Sequence, residues 1–573
     1  MKKTLALLIC AMLSASALAG CGGDGGSSSS GTTSGDASTS SSTSSSTEGT
    51  GVTMSAPGEF PIVEETMEFN ITTVQTNYVL DANTNDFTTW YEDLTNIHIN
   101  YEQIPDSAIS EKVSLILASN ELPDAFLYCS LTASDIVNYG AQGVFLDLAP
   151  MIDEYGYYIP EAFDEEMMAS MTAPDGGLYC LANINECYHC MYSGRAWINQ
   201  TWLDNLGLEY PETTEDLYNV LKAFKEQDAN GNGDPNDEIP MIGDDTGWNG
   251  KVWDFLMQSF VYNDYSSRIA LDENGQINFV ANTEAWRDGL RYIRQLIEEG
   301  LIDPVSLTQT DAQAQTIAGN PDSIDVGVVT GATWWSELGA DLADPLQRSR
   351  QYVGLSPLEG PDGVRNVLTS EGGLTTGQFA ITNQCENPEV LFRWADGCFS
   401  YDATLVSSYG LEGTGWNQPE EGALGINGEP ALYDSVTWED TTTVQNWSMS
   451  NIALSNRTNE FRLGDAVDMS DPDVEFTNSE LRLYNETSKY FEPYRSDAQV
   501  PSLLMTAEES SERSLIETQI QDYVLEQSVN FLAGNLDLDA DWDAYVAEFD
   551  NLQLDRYLEL MQTAYDRQYG SAN

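Results

Sequence analysis

Hydrophobic and polar residues follow regular patterns along much of this chain, and these patterns predict its secondary structure. Period-two alternation or a short apolar run predicts strands at residues 67–75, 97–101, 122–128, 325–330 and 379–382. Apolar spacing of three and four predicts helices at residues 86–95, 107–119, 213–226, 283–300 and 388–400. Ser107 is the expected N-cap of the second helix, and Thr213 or Thr214 that of the third, with Asp216 in its first turn.

The order of these elements indicates a two-lobe α/β protein. Strands and helices alternate from residue 67 onward, which favours a largely parallel sheet. The pattern becomes more helical after Trp197, and strand patterns return at residues 325–330. With 573 residues the chain is too long for one core. We therefore expect discontinuous lobes, each built from separated segments and joined by crossovers that act as a hinge.

The N-terminus has the features of an export signal. Lys2 and Lys3 precede an apolar run that is too short to span a membrane, and residues 1–20 are predicted to be a signal peptide. Residues 18–21, Leu-Ala-Gly-Cys, resemble the lipobox of bacterial lipoproteins, which implies that Cys21 is lipidated and becomes the mature N-terminus. Residues 21–65 then read as this cysteine and a Ser/Gly/Thr-rich flexible tether. We expect a folded body held at the extracellular face of the cell membrane by the lipid anchor only.

Charge and cysteine content narrow the possible functions. The chain has 92 acidic and 23 basic residues and a formal net charge of −69, which repels phosphate backbones and argues against nucleic-acid binding. Beyond Cys21, six cysteines remain in the body, and an even number outside the cell permits disulfides. Cys187 and Cys190 flank His189 at a spacing that also suits a metal or redox site, although structural thiols or a disulfide are favoured over both. The pairing stays open among Cys129, Cys180, Cys187, Cys190, Cys385 and Cys398.

Several stretches together resemble the family 1 extracellular solute-binding proteins of ABC importers. The resemblance covers about residues 60–420 and is weaker in the C-terminal 150 residues. It is carried by Trp197-Ile198-Asn199, residues 202–208 (WLDNLGL), residues 221–225 (LKAFK), residues 228–240 (DANGNGDPNDEIP), Leu122-Pro123-Asp124, residues 172–176 (TAPDG), Trp394-Ala395-Asp396 and residues 409–413 (YGLEG).

This resemblance implies a periplasmic-binding-protein-like hinge fold and a transport function. We assign residues 66–185 and 305–378 to an N-terminal lobe, and residues 186–304 and 379–573 to a C-terminal lobe. The implied protein is a monomer that captures an extracellular carbohydrate, an oligosaccharide, in the cleft between its lobes. It would then deliver this ligand to the transmembrane subunits of an ABC permease.

Residues 228–238 predict a structural calcium site. Calcium prefers six to eight oxygen ligands, and alternating oxygen side chains on a tight glycine-containing loop can point at one centre. In an EF-hand-like numbering Asp228, Asn230 and Asn232 take positions 1, 3 and 5, and Asp234 at position 7 offers its backbone oxygen. The bidentate glutamate expected at position 12 is replaced by Ile239, so Asp237 or Glu238 closes the site. A polar turn without an ion is the alternative.

Aromatic side chains are the expected ligand contacts, because sugar rings pack their apolar faces on indoles and their hydroxyls need polar partners. The candidates are Tyr78, Trp248, Trp253, Trp334, Trp335, Glu371 and Trp416. Trp334 and Trp335 are adjacent, so at most one of them lines the cleft directly if this segment is extended.

Two other classes of function compete with transport. A secreted glycoside-acting enzyme would also be rich in carboxylates, so their abundance does not discriminate. The two histidines, His98 and His189, give no persuasive Ser/His/Asp set, and no common hydrolase motif is present. We therefore expect no catalytic residues. A peptide-binding surface lipoprotein on the same hinge fold is the second alternative.

Overall fold

The protein was analysed as a computed structural model that describes residues 52–76, 79, 81–334, 338, 346–370, 373–436 and 452–570. Cys21 and the tether as far as residue 51 lie outside the described residues, as do Tyr78, Trp335 and Glu371. The expectation that the tether extends to residue 65 is wrong, because residues 52–65 pack on the N-terminal lobe. Ile62 and Val63 are buried in its core, and Arg393 donates to the backbone carbonyls of Ser55 and Ala56. The helices in the described part of the chain do not combine the length and apolar character needed to cross a membrane.

The N-terminal lobe is built around a six-stranded mixed sheet. Its strands, in spatial order, are Asn456–Arg457, Leu181–Asn185, Leu374–Ile381, Ala125–Leu127, Met67–Gln75 and Ile97–Pro105. Met67–Gln75 runs parallel to both of its neighbours, whereas Leu374–Ile381 runs antiparallel to both of its own. The sheet is packed by the helices Asp86–Thr95, Ile109–Ser119, Ala133–Ala141, Ala149–Tyr155, Ile159–Ala162, Glu165–Met171, Pro388–Gly397 and Tyr401–Tyr409. The short helix Asn459–Leu463 follows the strand Asn456–Arg457, and its Phe461 packs in a smaller cluster with Leu405 and Tyr433.

The C-terminal lobe has a four-stranded sheet and most of the long helices. Its strands, in spatial order, are Tyr352–Leu355, Ala196–Asn199, Val326–Thr330 and Ile239–Ile242, and a hairpin joins Ile269–Leu271 to Ile277–Phe279. Its helices are Gln200–Leu206, Thr214–Glu226, Val252–Met257, Glu284–Glu298, Asp311–Ala318, Ser479–Tyr490, Ala507–Leu532, Trp542–Asn551 and Leu554–Gln568. A separate apolar core lies between the sheet and these helices.

Smaller elements complete the chain. Trp416–Asn417 pairs with Asp434–Ser435, and Leu424–Gly425 pairs with Ala466–Val467. The short helix Val474–Thr477 precedes the return of the chain to the C-terminal lobe.

The structure reverses part of the expected lobe assignment. Residues 305–378 were expected in the N-terminal lobe, but Val326–Thr330 pairs with Ala196–Asn199 in the C-terminal lobe. Residues 379–573 were expected in the C-terminal lobe, but Leu374–Ile381 lies inside the N-terminal sheet. An alternating pattern predicts that a segment forms a strand, but it does not indicate which sheet the strand joins.

Local signals were more reliable than this assignment. Thr213 caps Thr214–Glu226, and its reciprocal hydrogen bonds with Asp216 form a capping box. The expected cap at Ser107 is wrong, because a short 3₁₀ turn, Asp106–Ala108, precedes the helix Ile109–Ser119 and Ala108 holds the N-cap position.

The segments that connect the lobes contact one another. Residues 186–195 carry the chain out of the N-terminal lobe, and residues 368–370 lie where it returns. Ser370 N donates to Met191 O at 3.0 Å. Tyr192, Val367 and Phe491 form a small buried apolar cluster at this junction. The connection is therefore a packed hinge rather than a set of free linkers.

Candidate ligand cavity and cation loop

A cavity of about 710 Å³ lies between the two lobes. The N-terminal lobe contributes Ala133, Ser170 and Thr376, and the C-terminal lobe contributes Trp248, Tyr265 and Arg513. The hinge segments supply Cys190, Ser193 and Leu368–Ser370, and residues 499–504 complete the wall. Both lobes and the hinge therefore meet at one site, and its volume suits a small organic ligand.

Trp248 is the predicted aromatic contact that the structure places in the described wall of this cavity. It lies on a loop of residues 243–250, the Trp248 loop, which follows the strand Ile239–Ile242. Its side chain lines the cavity and Trp248 is 55% exposed, although large aromatic residues are usually buried. Its backbone carbonyl accepts a hydrogen bond from Ala332 N at 3.0 Å. A half-exposed indole in a cavity wall can act as a flat apolar platform.

The other predicted tryptophans that the structure describes lie away from this cavity. Trp253 is 2% exposed and packs against Trp286 and the Arg268 guanidinium in the C-terminal core. Trp334 is 5% exposed and packs against Trp197.

Trp416 lies in the small strand pair beside Tyr433 and Phe461. The sequence marks all of these positions as aromatic, but it does not indicate which side of an element faces the core.

Polar side chains surround Trp248 in the cavity wall. Asn249, Asp264, Ser266, Thr369 and Gln499 line the site. Thr369 Oγ1 donates to Gln499 Oε1 at 2.8 Å, which joins the hinge to residues 499–504. The wall is therefore rich in hydroxyl and amide groups, which can donate and accept hydrogen bonds.

The charged groups of the wall are few among the described residues. Asp264 and Arg513 are the charged members of the described lining. Arg513 Nη2 donates to Glu517 Oε1 at 3.0 Å, so its charge is already paired. Arg513 and Gln499 were missed by the sequence analysis, because they fall in the C-terminal part where no motif was found.

The predicted cation loop is formed, and its internal hydrogen bonds resemble those of a turn. Asp228 Oδ2 accepts from Gly233 N at 2.9 Å, and Glu238 Oε1 accepts from Ala229 N at 2.9 Å. Gly233 has a φ of +96°, which favours glycine at this point of the loop. Asn232 N donates to Asn230 Oδ1, and Asp234 N donates to Asn232 Oδ1.

Two carboxylate oxygens of this loop fit a cation. Asp228 Oδ1 and Glu238 Oε2 are buried and have no hydrogen-bond partner among the described residues. Both oxygens of Asp237 accept from amide groups, Oδ1 from Asn230 at 3.4 Å and Oδ2 from Asn232 at 2.6 Å. Burial raises the pKa of Glu238. Buried carboxylate oxygens normally have a partner, so the residues present are suited to hold a hard cation.

Cys187 and Cys190 form a disulfide in the hinge, which is one of the two structural alternatives that the sequence left open. Their sulfurs and a His189 nitrogen lie within 4.8 Å of one another, but the disulfide occupies the thiolates that a metal would need. Burial, with Arg195 and Arg462 nearby, lowers the pKa of His189 to about 3. The other cysteines of the body, Cys129, Cys180, Cys385 and Cys398, are free and buried.

Comparison with known proteins identifies the family. A sequence model described as bacterial extracellular solute-binding protein matches residues 75–403. The fructooligosaccharide ABC transporter substrate-binding protein FusA of Streptococcus pneumoniae is 27% identical over 84% of this chain and 86% of its own. Lipoprotein LipO of Bacillus subtilis is 28% identical over 60% of this chain and 66% of its own.

Solved structures agree with this result. FusA in complex with kestose has a TM-score of 0.67 and 26% identity, covering 88% of this chain and 100% of the other. A FusA EF-hand mutant in complex with fructo-nystose has a TM-score of 0.66 and 25% identity, with the same coverage. The chain belongs to the family of bacterial extracellular solute-binding proteins, which confirms the predicted family and the two-lobe α/β fold.

Proposed function

We propose that this protein captures a neutral oligosaccharide in the cavity between its lobes and delivers it to an ABC permease. The observation that carries the proposal is the half-exposed Trp248 in a wall contributed by both lobes. An indole packs on the apolar face of a sugar ring, and the surrounding hydroxyl and amide groups bind its hydroxyls. The kestose complex of FusA supports the same ligand class.

The preference for a neutral ligand follows from the charge of the wall. An acidic sugar needs an unpaired cation, whereas Arg513 is paired with Glu517. The formal net charge of −69 would also repel an anionic ligand at long range. A neutral fructooligosaccharide needs no cation in the cavity wall and is not repelled by the negative net charge.

The proposed mechanism is ligand-dependent closure. A ligand that contacts both lobes stabilises the closed form by its differential affinity for that form. The protein recognises its ligand and returns it unchanged, with no bond broken. We also propose that the protein is a monomer attached to the extracellular face of the cell membrane through lipidated Cys21.

We further propose that Ca²⁺ occupies the cation loop and has a structural role. Asp228, Asn230, Asn232 and the Asp234 backbone would hold it, and Glu238 rather than Asp237 would close the site. The support for Asp228 and Glu238 is that each has a buried oxygen with no hydrogen-bond partner among the described residues, which Asp237 lacks. The bound ion would offset repulsion between the carboxylates.

Calorimetry with kestose, fructo-nystose and trigalacturonate tests the ligand class. We expect the neutral sugars to bind and the uronate not to bind. Trp248→Ala should weaken neutral-sugar affinity at least about tenfold, as expected for truncation of a central aromatic contact. Trp416→Ala removes a tryptophan outside the cavity and should leave affinity unchanged.

A chromatographic assay of the same sugars after overnight incubation tests the enzymatic alternative. Recovery of intact kestose agrees with a transport function, and steady conversion to smaller sugars contradicts it. Binding of a peptide library but no sugar would support the peptide-binding alternative.

A further inference from the structure

We propose that Asp244 is a positioning residue that holds Trp248 in its place in the cavity wall. This inference rests on the proposed function, because it concerns the same aromatic platform. Asp244 lies in the Trp248 loop but does not line the cavity. It would act on a ligand only through Trp248.

The side chain of Asp244 organises the loop from within. The residue is completely buried, with an exposed fraction of 0%. Its Oδ1 accepts hydrogen bonds from Thr246 N at 2.9 Å and from Gly247 N. Its backbone N donates to Gly250 O at 3.0 Å. A buried carboxylate thus binds the residue next to Trp248, and such charge-assisted hydrogen bonds are stronger than neutral ones.

Two glycines allow the backbone to wrap around this carboxylate. A Cβ placed at Gly250 would lie 2.2 Å from Asp244 Oδ2, and one at Gly247 would lie 2.8 Å from Oδ1. Both distances are shorter than a van der Waals contact, so side chains at these positions would displace the carboxylate. The loop sequence therefore suits a backbone closed tightly around Asp244.

Neighbouring elements anchor both ends of the loop. Gln309 Nε2 donates to Gly243 O at 2.6 Å, and Thr330 Oγ1 donates to Gly250 O at 2.5 Å. Asp244 adds the internal contact at Gly247, directly before Trp248. The exposed indole has little packing of its own, so its direction depends on this backbone. We infer that Asp244 pre-organises the platform and so reduces the ordering cost of binding.

Asp244→Asn tests this role because it keeps the shape and removes the charge. We expect kestose affinity to fall about three- to tenfold, because the two hydrogen bonds that Asp244 Oδ1 accepts lose their charge assistance but are still made. Asp245→Asn makes the same charge change at the next residue, which pairs with Lys251 at 3.2 Å and lies outside the described cavity lining. This control should bind kestose as the wild type does.

A double substitution separates positioning from general stability. In a Trp248→Ala background, Asp244→Asn should cause no further loss of affinity, because the group that it positions is gone. An equal loss in both backgrounds would overturn the proposal. If Trp248→Ala itself leaves affinity unchanged, the proposed use of Trp248 in binding fails, whatever Asp244 does.

A ligand-independent measurement keeps the inference testable if kestose does not bind. In 5-fluorotryptophan-labelled protein, the Trp248 resonance is assigned by its loss in Trp248→Phe. We expect this ¹⁹F signal to shift and narrow in Asp244→Asn, because an indole that is no longer held in one direction is more mobile. The signal should stay unchanged in Asp245→Asn. Gly247→Ala, which displaces the same carboxylate, replaces Asp244→Asn if that variant does not fold. An unchanged Trp248 resonance in the folded variant would overturn the proposal.

Discussion

The side-chain amide of Gln568 links the two lobes by donating a hydrogen bond to the backbone carbonyl of Ala169 at 3.3 Å. Gln568 ends the helix Leu554–Gln568 of the C-terminal lobe, and Ala169 lies in the helix Glu165–Met171 of the N-terminal lobe. Gln568 Oε1 also accepts from Leu504 N at 2.9 Å, and Leu504 lines the cavity. One side chain therefore contacts both lobes and the wall of the ligand cavity.

Gln568→Ala should favour the open form. The loss of a hydrogen bond that exists only when the lobes are close should weaken kestose affinity about threefold. Calorimetry gives the affinity, and small-angle scattering of the ligand-free protein should show a larger radius of gyration. Gln562→Ala is the matched control, since Gln562 lies in the same helix but bonds within its own lobe, to Gly275. Equal effects of the two substitutions would contradict the role of Gln568.

Removal of calcium should lower thermal stability without removing the cavity. We expect EDTA to lower Tm by about 2 °C or more, because an ion that binds only the folded state stabilises it by mass action. Kestose affinity should persist. Glu238→Gln should abolish the calcium-dependent shift, whereas Asp237→Asn should retain it. If EDTA has no effect on the wild type, the loop is a polar turn without an ion.

Reduction of the Cys187–Cys190 disulfide should destabilise the hinge. Cys190 O accepts from Ser370 Oγ at 3.3 Å, so the disulfide supports the contact between two hinge segments. Disulfides stabilise chiefly by restricting the unfolded chain, and this short loop should contribute about 2 kcal/mol. Differential scanning calorimetry of Cys187→Ser/Cys190→Ser should therefore show a lower Tm. Cys129→Ser, at a free buried cysteine, is the control for replacing a cysteine sulfur by a hydroxyl. An unchanged Tm in Cys187→Ser/Cys190→Ser would contradict a stabilising role of the disulfide.

Asp465 should make stability depend on pH. Burial raises the pKa of Asp465 to about 6, against the opposing effect of hydrogen bonds from Ser435, and nearby Asp434 adds to the rise. A carboxyl whose pKa is raised in the folded state favours folding when protonated, and this contribution is lost as pH rises from about 4 through 6. The Tm of Asp465→Asn minus the Tm of the wild type should therefore increase as pH rises from 4.5 to 7. For Asp362→Asn, at an exposed aspartate, the Tm difference from the wild type should not change over this range. A Tm difference for Asp465→Asn that is the same at all pH values would refute the raised pKa of Asp465.

The sequence predicts local elements well because their signals are local. Met67–Gln75 was expected as a strand at those residues, and Thr213 as a cap, because alternation and capping depend on near neighbours. The cation loop was found for the same reason. The lobe that accepts Val326–Thr330 depends on contacts with residues more than a hundred positions away, which a pattern does not record.

The cavity illustrates the same limit. Trp248 and Trp253 are five residues apart and equally conspicuous in the sequence, but Trp248 is half-exposed on a loop, whereas Trp253 lies in a helix whose residues are all buried. Asp244 has no conspicuous motif of its own. Its importance follows from the way in which two glycines bring the backbone onto its carboxylate, and this geometry can be read only from the folded chain.

The position of Leu374–Ile381 has a consequence for the order in which the N-terminal sheet can form. This strand lies between Leu181–Asn185 and Ala125–Leu127, which do not pair with each other. While the chain is synthesised from its N-terminus, one edge of Ala125–Leu127 and both edges of Leu181–Asn185 therefore stay unpaired until nearly two hundred further residues have been added. Unpaired edges invite pairing with other chains, so a nascent molecule is exposed to aggregation until Leu374–Ile381 takes its place in this sheet.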